Sequence, residues 1–79
     1  MEKNRLYWAS RRGMLELDLV LKPFLDNHYD DLEDQDKRLY ELLLEEQDPD
    51  LFQWFLRGGV PENDDLKRIV GIILDKYSL

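Results

Sequence analysis

The chain has 79 residues, of which 43% are hydrophobic and 37% are charged, and its formal net charge is −7. A chain this short can bury one small core but not also wall a deep substrate cavity, so we expect a single domain over residues 1–79 that is not an enzyme. With no cysteine and one histidine, the chain offers no disulfide framework and no common zinc site. The negative charge argues against a general nucleic-acid binder.

The pattern of apolar residues predicts an all-α fold, a single small bundle of five short helices, because no segment shows the sustained alternation of a strand. The first helix is predicted from about Lys3 to Arg11 and ends at Gly13. The second is predicted from about Met14 to Tyr29, and Pro23 should kink it because proline lacks an amide hydrogen. The side chains that the second helix should bury are Met14, Leu17, Leu21, Phe24 and Leu25.

The third and fourth helices are marked by their ends. The third is predicted from about Asp34 to Glu46 and should bury its apolar side chains, namely Leu39, Leu42, Leu43 and Tyr40. Asp48 is a good N-cap for the fourth helix, and Pro49 suits its first position. Gly58 can end that helix in the left-handed conformation. Its apolar face consists of Leu51, Phe52, Phe55 and Leu56.

The fifth helix has the clearest periodicity. Asn63 or Asp64 can cap its start, and acidic residues in its first turn favour the positive end of the helix dipole. One apolar stripe of period 3.6 follows, formed by Leu66, Ile69, Val70, Ile73, Leu74 and Tyr77.

Charge is distributed unevenly along the chain. Residues 1–12 carry four basic side chains against one acidic side chain, whereas residues 26–50 carry eleven acidic side chains against two basic ones. We interpret the acidic segment as a solvated face. The longest apolar run, residues 69–74, is far shorter than the roughly 20 residues of a membrane span, and no signal peptide is recognisable. We therefore expect a cytoplasmic protein without membrane insertion.

Common catalytic patterns are missing from the sequence. No glycine-rich phosphate loop occurs, and no serine has a nearby base. The acidic run 26–36 lacks the glycine and glutamate spacing of a calcium loop. Glu16 and Asp18 are two residues apart and diverge on a helix, so they cannot face one substrate from opposite sides. His28 falls at the end of the second helix, where a capping or half-buried structural role is expected.

The segment from Arg11 to Asp18 is the unusual part of the chain. Two arginines end one helix, Gly13 allows a tight turn with an approachable backbone, and Glu16 lies in the first turn of the next helix. Trp8 precedes Arg12 by four residues, in a basic stripe that Arg5 begins. Tryptophan and arginine are the residues most enriched at binding hot spots. The same pattern also fits a Trp8 packed on the bundle and arginines bonded to helix-end carbonyls or to Glu16.

Two leucines on the second helix raise a related question. If the predicted core residues face inward, Glu16 points away from the core, and Leu15 and Leu19 lie together on a third side. Either the first helix covers this pair or the pair is exposed.

The segment Arg-Arg-Gly-Met-Leu-Glu-Leu-Asp at residues 11–18 resembles the Arg-Gly-x-x-Glu motif of the succinate dehydrogenase flavinylation factors. This is the bacterial SdhE group, also called YgfY, with its mitochondrial relatives. The resemblance continues through Pro23-Phe24, Tyr29, the Asp-Pro-Asp-Leu-Phe run at 48–52 and Trp54, in matching order and spacing.

The resemblance implies a small five-helix assembly factor, not an enzyme. Such a protein binds the flavoprotein subunit of succinate dehydrogenase, and in bacteria that of fumarate reductase, and assists covalent attachment of FAD to a histidine there. It implies no tightly bound cofactor, since FAD is handled on the partner flavoprotein, and we expect a monomer. The partner-binding residues that the resemblance implies are Arg12, Gly13 and Glu16, with Trp8, Arg11 and Asp18 as neighbours.

We hypothesise from this that Arg12 and Glu16 contact the partner and that Gly13 sets the turn. Gly13→Arg should then abolish the complex and leave the helical fold. The main alternative is an antitoxin-type role, a label also given to members of this group, in which the basic patch binds a small membrane protein. A nucleic-acid-binding helical domain and a small enzyme using Glu16 and Asp18 are weaker alternatives.

Overall fold

A computed structural model describes residues 2–77, which form five α-helices and contain no β-strand. The predicted all-α bundle of five short helices is confirmed. The single-domain prediction also takes in residues 1, 78 and 79, which lie outside the described range. The helices are α1 (Lys3–Ser10), α2 (Leu15–Asn27), α3 (Asp34–Leu43), α4 (Asp48–Leu56) and α5 (Asp64–Tyr77), and one 3₁₀ turn (Tyr29–Asp31) follows α2.

The second helix is central to the packing, because α1, α4 and α5 all pack against it. Its predicted inward residues are buried apart from Met14, which is half-buried, and Val20 joins them. Pro23 lies inside α2 with its ring exposed, and the helix continues past it to Asn27. One hydrophobic cluster takes residues from all five helices, including Leu6, Leu21, Tyr40, Leu51 and Ile69, none more than 1% exposed. No helix within residues 2–77 is long and apolar enough to cross a membrane.

The end of the third helix differs from the sequence prediction. The helix stops at Leu43 rather than Glu46, and a turn carries the chain on to α4. Leu42, predicted to be buried, is 37% exposed, whereas Leu44, not predicted, is buried. The buried face of α3 runs through Leu39, Tyr40 and Leu43, and Leu42 lies about 100° away from Leu43 around the helix. Leu44 is the C-cap residue of α3 and is buried after it.

Of the three capping positions predicted for α4 and α5, two are confirmed. Asn63 caps α5, since its side-chain Oδ1 accepts the amide of Leu66 at 3.0 Å. Gly58 follows α4 with a φ of 77°, in the left-handed region. The prediction for Asp48 was wrong, because Gln47 is the N-cap of α4 and Asp48 is its first residue. The Asp48 carboxylate instead bonds to residues far away in the sequence.

The acidic segment is not uniformly a solvated face. Asp36 is buried on α3 and receives two hydrogen bonds from Arg68 on α5, at 2.8 Å and 3.2 Å. Asp30, in the 3₁₀ turn after α2, pairs with Lys3 of α1 at 2.9 Å. Several acidic side chains of the segment 26–50 therefore join elements together, while the other acidic side chains of the segment are mostly exposed.

Candidate functional site

All six predicted site residues lie where α1 gives way to α2. We call this region, residues 8–18, the α1–α2 corner. Residues 11–14 separate the two helices, so that Trp8 is in the last turn of α1 and Glu16 is in the first turn of α2. The predicted residues therefore lie in one region. Some form hydrogen bonds inside the protein and others are exposed; the six are Trp8, Arg11, Arg12, Gly13, Glu16 and Asp18.

Arg12 is the best-connected side chain of the corner. Its Nε donates to Asp48 Oδ1 at 2.9 Å. Its Nη1 donates to the carbonyl of Ala9 at 2.9 Å and to that of Leu44 at 3.0 Å. Its Nη2 donates to the carbonyl of Glu46 at 2.6 Å. The planar guanidinium can serve several acceptors at once, and here it joins the end of α1, the turn after α3 and the start of α4.

The backbone of the corner is held by two carboxylates. Asp18, in the first turn of α2, accepts the amide of Arg12 at 2.8 Å. Asp48 accepts the amide of Gly13 on Oδ2 at 3.1 Å, so both of its oxygens are bonded to the corner. Both amides belong to the linker between helices, where no helical carbonyl is available to them. These bonds fix the path by which the chain passes from α1 into α2.

The turn at Gly13 does not need glycine for its backbone conformation. Among the described residues, Gly58 is the one with a left-handed φ, and Gly13 is outside that region. A Cβ at position 13 would meet Asp48 Oδ2 at 3.4 Å, an ordinary contact distance. The chain therefore does not require glycine at position 13 in order to turn there. Gly13 is exposed and has no side chain, so no side-chain atom of this residue covers its backbone.

Among the six predicted site residues, those with exposed side chains are Trp8, Arg11 and Glu16. Trp8 is 60% exposed, and the Arg11 guanidinium lies over its ring at 5.5 Å from the centroid. The Tyr7 ring also meets the indole in an edge-to-face contact, with the ring centroids 5.5 Å apart. Glu16 is exposed and forms no hydrogen bond or ion pair with another residue of the range 2–77. These three side chains remain available to a second molecule.

The apolar pair Leu15 and Leu19, on the third side of α2, is exposed. Leu15 is 70% exposed and Leu19 is 57% exposed, so α1 does not cover them. They lie four residues apart on one face of α2, beside Glu16. Lys22 continues this face one turn further, with its ammonium group over the Tyr7 ring at 5.3 Å. Apolar surface of this kind, next to an aromatic–arginine pair, is typical of a protein contact.

Other candidate groups do not assemble into a site. His28 caps the end of α2, where its amide bonds the carbonyl of Phe24 at 2.9 Å, and its half-buried ring lies 5.8 Å from that of Phe24. This agrees with the structural role expected of it. Within residues 2–77, no group of three or more histidine and acidic side chains is placed to hold a metal ion.

A sequence model of the family described as "Flavinator of succinate dehydrogenase" matches residues 4–77. The chain belongs to this flavinator family. Curated members named "FAD assembly factor SdhE" are close in sequence. The one from Pseudomonas aeruginosa is 51% identical over 75 residues, which is 95% of this chain and 89% of the relative. The one from Pectobacterium atrosepticum is 48% identical over 71 residues, 90% of this chain and 81% of the relative.

Membership of the flavinator family confirms the resemblance found in the sequence. The match takes in all five helices, and with them the whole α1–α2 corner. Sequence reasoning from the motif located that corner but missed Asp48 as part of it. Two signals lay at Asp48. The Asp48-Pro49 pair pointed to a helix cap, and the resemblance included the run at 48–52 without linking it to the corner.

Proposed function

We propose that this chain is a non-catalytic assembly factor that binds the flavoprotein subunit of succinate dehydrogenase and promotes covalent attachment of FAD to it. The flavoprotein of fumarate reductase is the second partner in this proposal. The observation that carries it is the family match over residues 4–77, together with relatives at about half identity that are named FAD assembly factors. We place the protein in the cytoplasm, as a monomer that binds no FAD tightly itself.

The surface that we assign to the flavoprotein is centred on Trp8, Arg11 and Glu16, with Leu15 and Leu19 beside them. An exposed indole under an arginine offers both apolar area and charge, which is the composition of binding hot spots. Glu16 adds one carboxylate free of internal partners, suited to a basic group or an amide on the partner. Together these side chains give a mixed apolar and charged patch of the kind that protein contacts use.

The other three predicted residues belong to the same surface in this proposal. Arg12, Gly13 and Asp18 hold the shape of the corner through the bonds described above. Any direct contact of the Arg12 side chain with the partner stays a prediction, since its guanidinium is already engaged by Asp48 and by three carbonyls.

A helper of this size has a limited task. FAD supplies the covalent chemistry together with the subunit that carries it, so the helper need not contribute reacting groups. By binding one conformation of the flavoprotein better than others, it raises the population in which the acceptor histidine and the flavin meet. A patch with exposed anchors and a rigid corner is suited to that task.

The test is in-gel fluorescence of covalent flavin on the denatured succinate dehydrogenase flavoprotein, from cells with and without this protein. We expect the signal to be lost on deletion and restored by the wild-type chain. Trp8→Ala and Glu16→Gln should restore it poorly. Glu33→Gln is the matched control, because Glu33 is also exposed but lies at the far end of α3, about 15 Å from the Leu44 end that Arg12 binds.

Unchanged covalent flavin after deletion would contradict the proposal. In that case, co-purification from the same cells distinguishes the antitoxin-type alternative, which requires a small membrane protein on the Trp8 surface in place of the flavoprotein. If deletion abolishes the signal but Trp8→Ala and Glu16→Gln both restore it fully, the function stands and the assigned surface is wrong.

A further inference from the structure

Asp48 connects α4 to the α1–α2 corner. The residue opens α4, and no exposed anchor of the proposed docking surface belongs to that helix. Its carboxylate nevertheless accepts two hydrogen bonds from consecutive residues of the corner, one from the Arg12 side chain at 2.9 Å and one from the Gly13 amide at 3.1 Å. A carboxylate that uses both oxygens in this way fixes both the distance and the orientation of its donors.

The Arg12 guanidinium that Asp48 binds makes three further hydrogen bonds. Arg12 also binds the carbonyls of Leu44 and Glu46, which immediately precede α4 along the chain. The same guanidinium binds the carbonyl of Ala9, in the last turn of α1. Asp48 therefore binds, through Nε, the same guanidinium that makes the other three bonds. The charge-assisted pair is partly buried, with the Arg12 side chain 13% exposed and that of Asp48 29% exposed, so solvent screens it less than a surface pair.

The bonds at Arg12 and Gly13 lie between two groups of exposed residues of the proposed docking surface. Trp8 and Arg11 lie at the end of α1, whereas Leu15 and Glu16 begin α2. Arg11 and Met14 still make backbone bonds to the adjoining helices, so Arg12 and Gly13 are the linker residues whose amides the carboxylates bind. Packing of α1 on α2 holds the two helices together, and the bonds to Arg12 and Gly13 fix the path of the linker between the two groups. Losing them would leave each helix intact but allow the two groups of anchors to move relative to one another.

We infer that Asp48 is a positioning residue for partner binding, which acts by clamping Arg12 and Gly13 so that Trp8, Arg11 and Glu16 present one preformed surface. This rests on the proposed function, since it names how the same surface is held ready for the flavoprotein. In this inference Asp48 does not touch the partner. A preformed surface binds more tightly because the partner need not order it on contact.

The experiment measures the affinity of purified chains for the isolated succinate dehydrogenase flavoprotein subunit, well below the thermal midpoint of every variant. Asp48→Asn keeps the size of the side chain but replaces one acceptor oxygen with a donor. Asp50→Asn is the matched control, because Asp50 is an exposed acid in the same first turn of α4 and has the same favourable position on the helix dipole. We expect Asp48→Asn to weaken the complex by about tenfold or more and Asp50→Asn to leave it within about twofold.

Two further readouts separate positioning from general stability. The Arg12 Nε–H and the Gly13 amide should exchange slowly with solvent in the wild type and quickly in Asp48→Asn, while amides of α5 stay protected. In addition, the loss of affinity in Arg12→Lys combined with Asp48→Asn should be clearly smaller than the sum of the two single losses, because both changes break the same Arg12–Asp48 bond.

Each outcome decides the inference. Wild-type affinity in Asp48→Asn, or additive losses in the double variant, would overturn it while leaving the proposed function in place. Equal losses in Asp48→Asn and Asp50→Asn would overturn it as well, since that would indicate an effect of helix charge. If the wild-type chain itself does not bind the flavoprotein, the proposed function fails and this inference fails with it.

Discussion

The hydroxyl oxygens of Ser10 and Tyr40 lie 2.7 Å apart in the buried interior, joining the last residue of α1 to α3. Both side chains are almost fully buried, and the Tyr40 ring stacks on Phe24 with centroids 5.7 Å apart. A buried hydroxyl without a partner is costly, so each of these two residues depends on the other. The pair therefore anchors the end of α1 beside the corner where Arg12 begins its bonds.

Tyr40→Phe should destabilise the fold by about 1–3 kcal/mol, because it leaves the Ser10 hydroxyl buried without its partner. Urea unfolding followed by circular dichroism measures this. Ser10→Ala should cost a similar amount, and the double variant should cost clearly less than the sum of the two. Additive losses would show that the two hydroxyls do not depend on one another.

The same tyrosine predicts a dependence of stability on alkaline pH. Burial raises the pKa of Tyr40 to about 12, against a weaker opposite effect of the Ser10 hydrogen bond. The pKa of Tyr40 in the folded state lies above the unfolded value near 10, so the buried neutral phenol contributes to stability. This contribution is fully present below pH 10 and is lost as pH rises toward about 12. The free energy of unfolding should thus fall over that window. Equal slopes in the wild type and in Tyr40→Phe would contradict the assignment to Tyr40.

The Asp36–Arg68 pair predicts a dependence on acid pH with the opposite sign. Two hydrogen bonds from Arg68, with its positive charge, lower the pKa of Asp36 despite its burial. A depressed folded-state pKa contributes stability that is present above the ordinary value near 3.8 and is lost as pH falls through the folded-state value. Asp36→Asn should therefore show a flatter loss of stability below about pH 5 than the wild type.

Arg68→Gln tests the same pair from its other side and should flatten the acid curve similarly. Because Arg68 is largely exposed, the difference between variant and wild type should shrink in concentrated salt. An acid curve in Asp36→Asn as steep as that of the wild type would assign the acid loss to other carboxylates.

The features that the sequence predicted well depend on neighbouring residues. The apolar stripe of α5 and its Asn63 cap follow from spacing within a few turns, as does the left-handed Gly58. Tyr77 at the end of that stripe is the exception, because it is 39% exposed. The features that it missed depend on distant residues. Nothing near Asp48 indicates that its carboxylate will bond Arg12, 36 residues away, in place of capping α4. The motif located the α1–α2 corner, but the division between exposed anchors and buried bonds required the fold.

Two glycines outside the corner give a matched pair of stability predictions. Gly58→Ala should cost about 1 kcal/mol, because alanine must adopt a φ of 77° although its Cβ would meet nothing within 4 Å. Gly71→Ala, in the exposed interior of α5 and equally free of contacts, should instead stabilise the protein by about 0.5–1 kcal/mol. Thermal unfolding should show midpoints that move in opposite directions. A rise for Gly58→Ala would mean that the turn after α4 does not need its left-handed residue.

Gly13 differs from both, because its effect should be on binding. Gly13→Ala should change stability by no more than about 0.5 kcal/mol, since the φ is not left-handed and the added Cβ would sit 3.4 Å from Asp48 Oδ2. Gly13→Arg adds a long cationic side chain beside the carboxylate that orients Arg12, where it can compete for Asp48 and cover the exposed backbone between Trp8 and Glu16. We expect a helical circular dichroism spectrum in both variants, flavoprotein binding in Gly13→Ala, and its loss in Gly13→Arg. Wild-type binding by Gly13→Arg would remove Gly13 from the docking surface, whereas loss in Gly13→Ala as well would mean that the partner approaches this backbone too closely for even a methyl group.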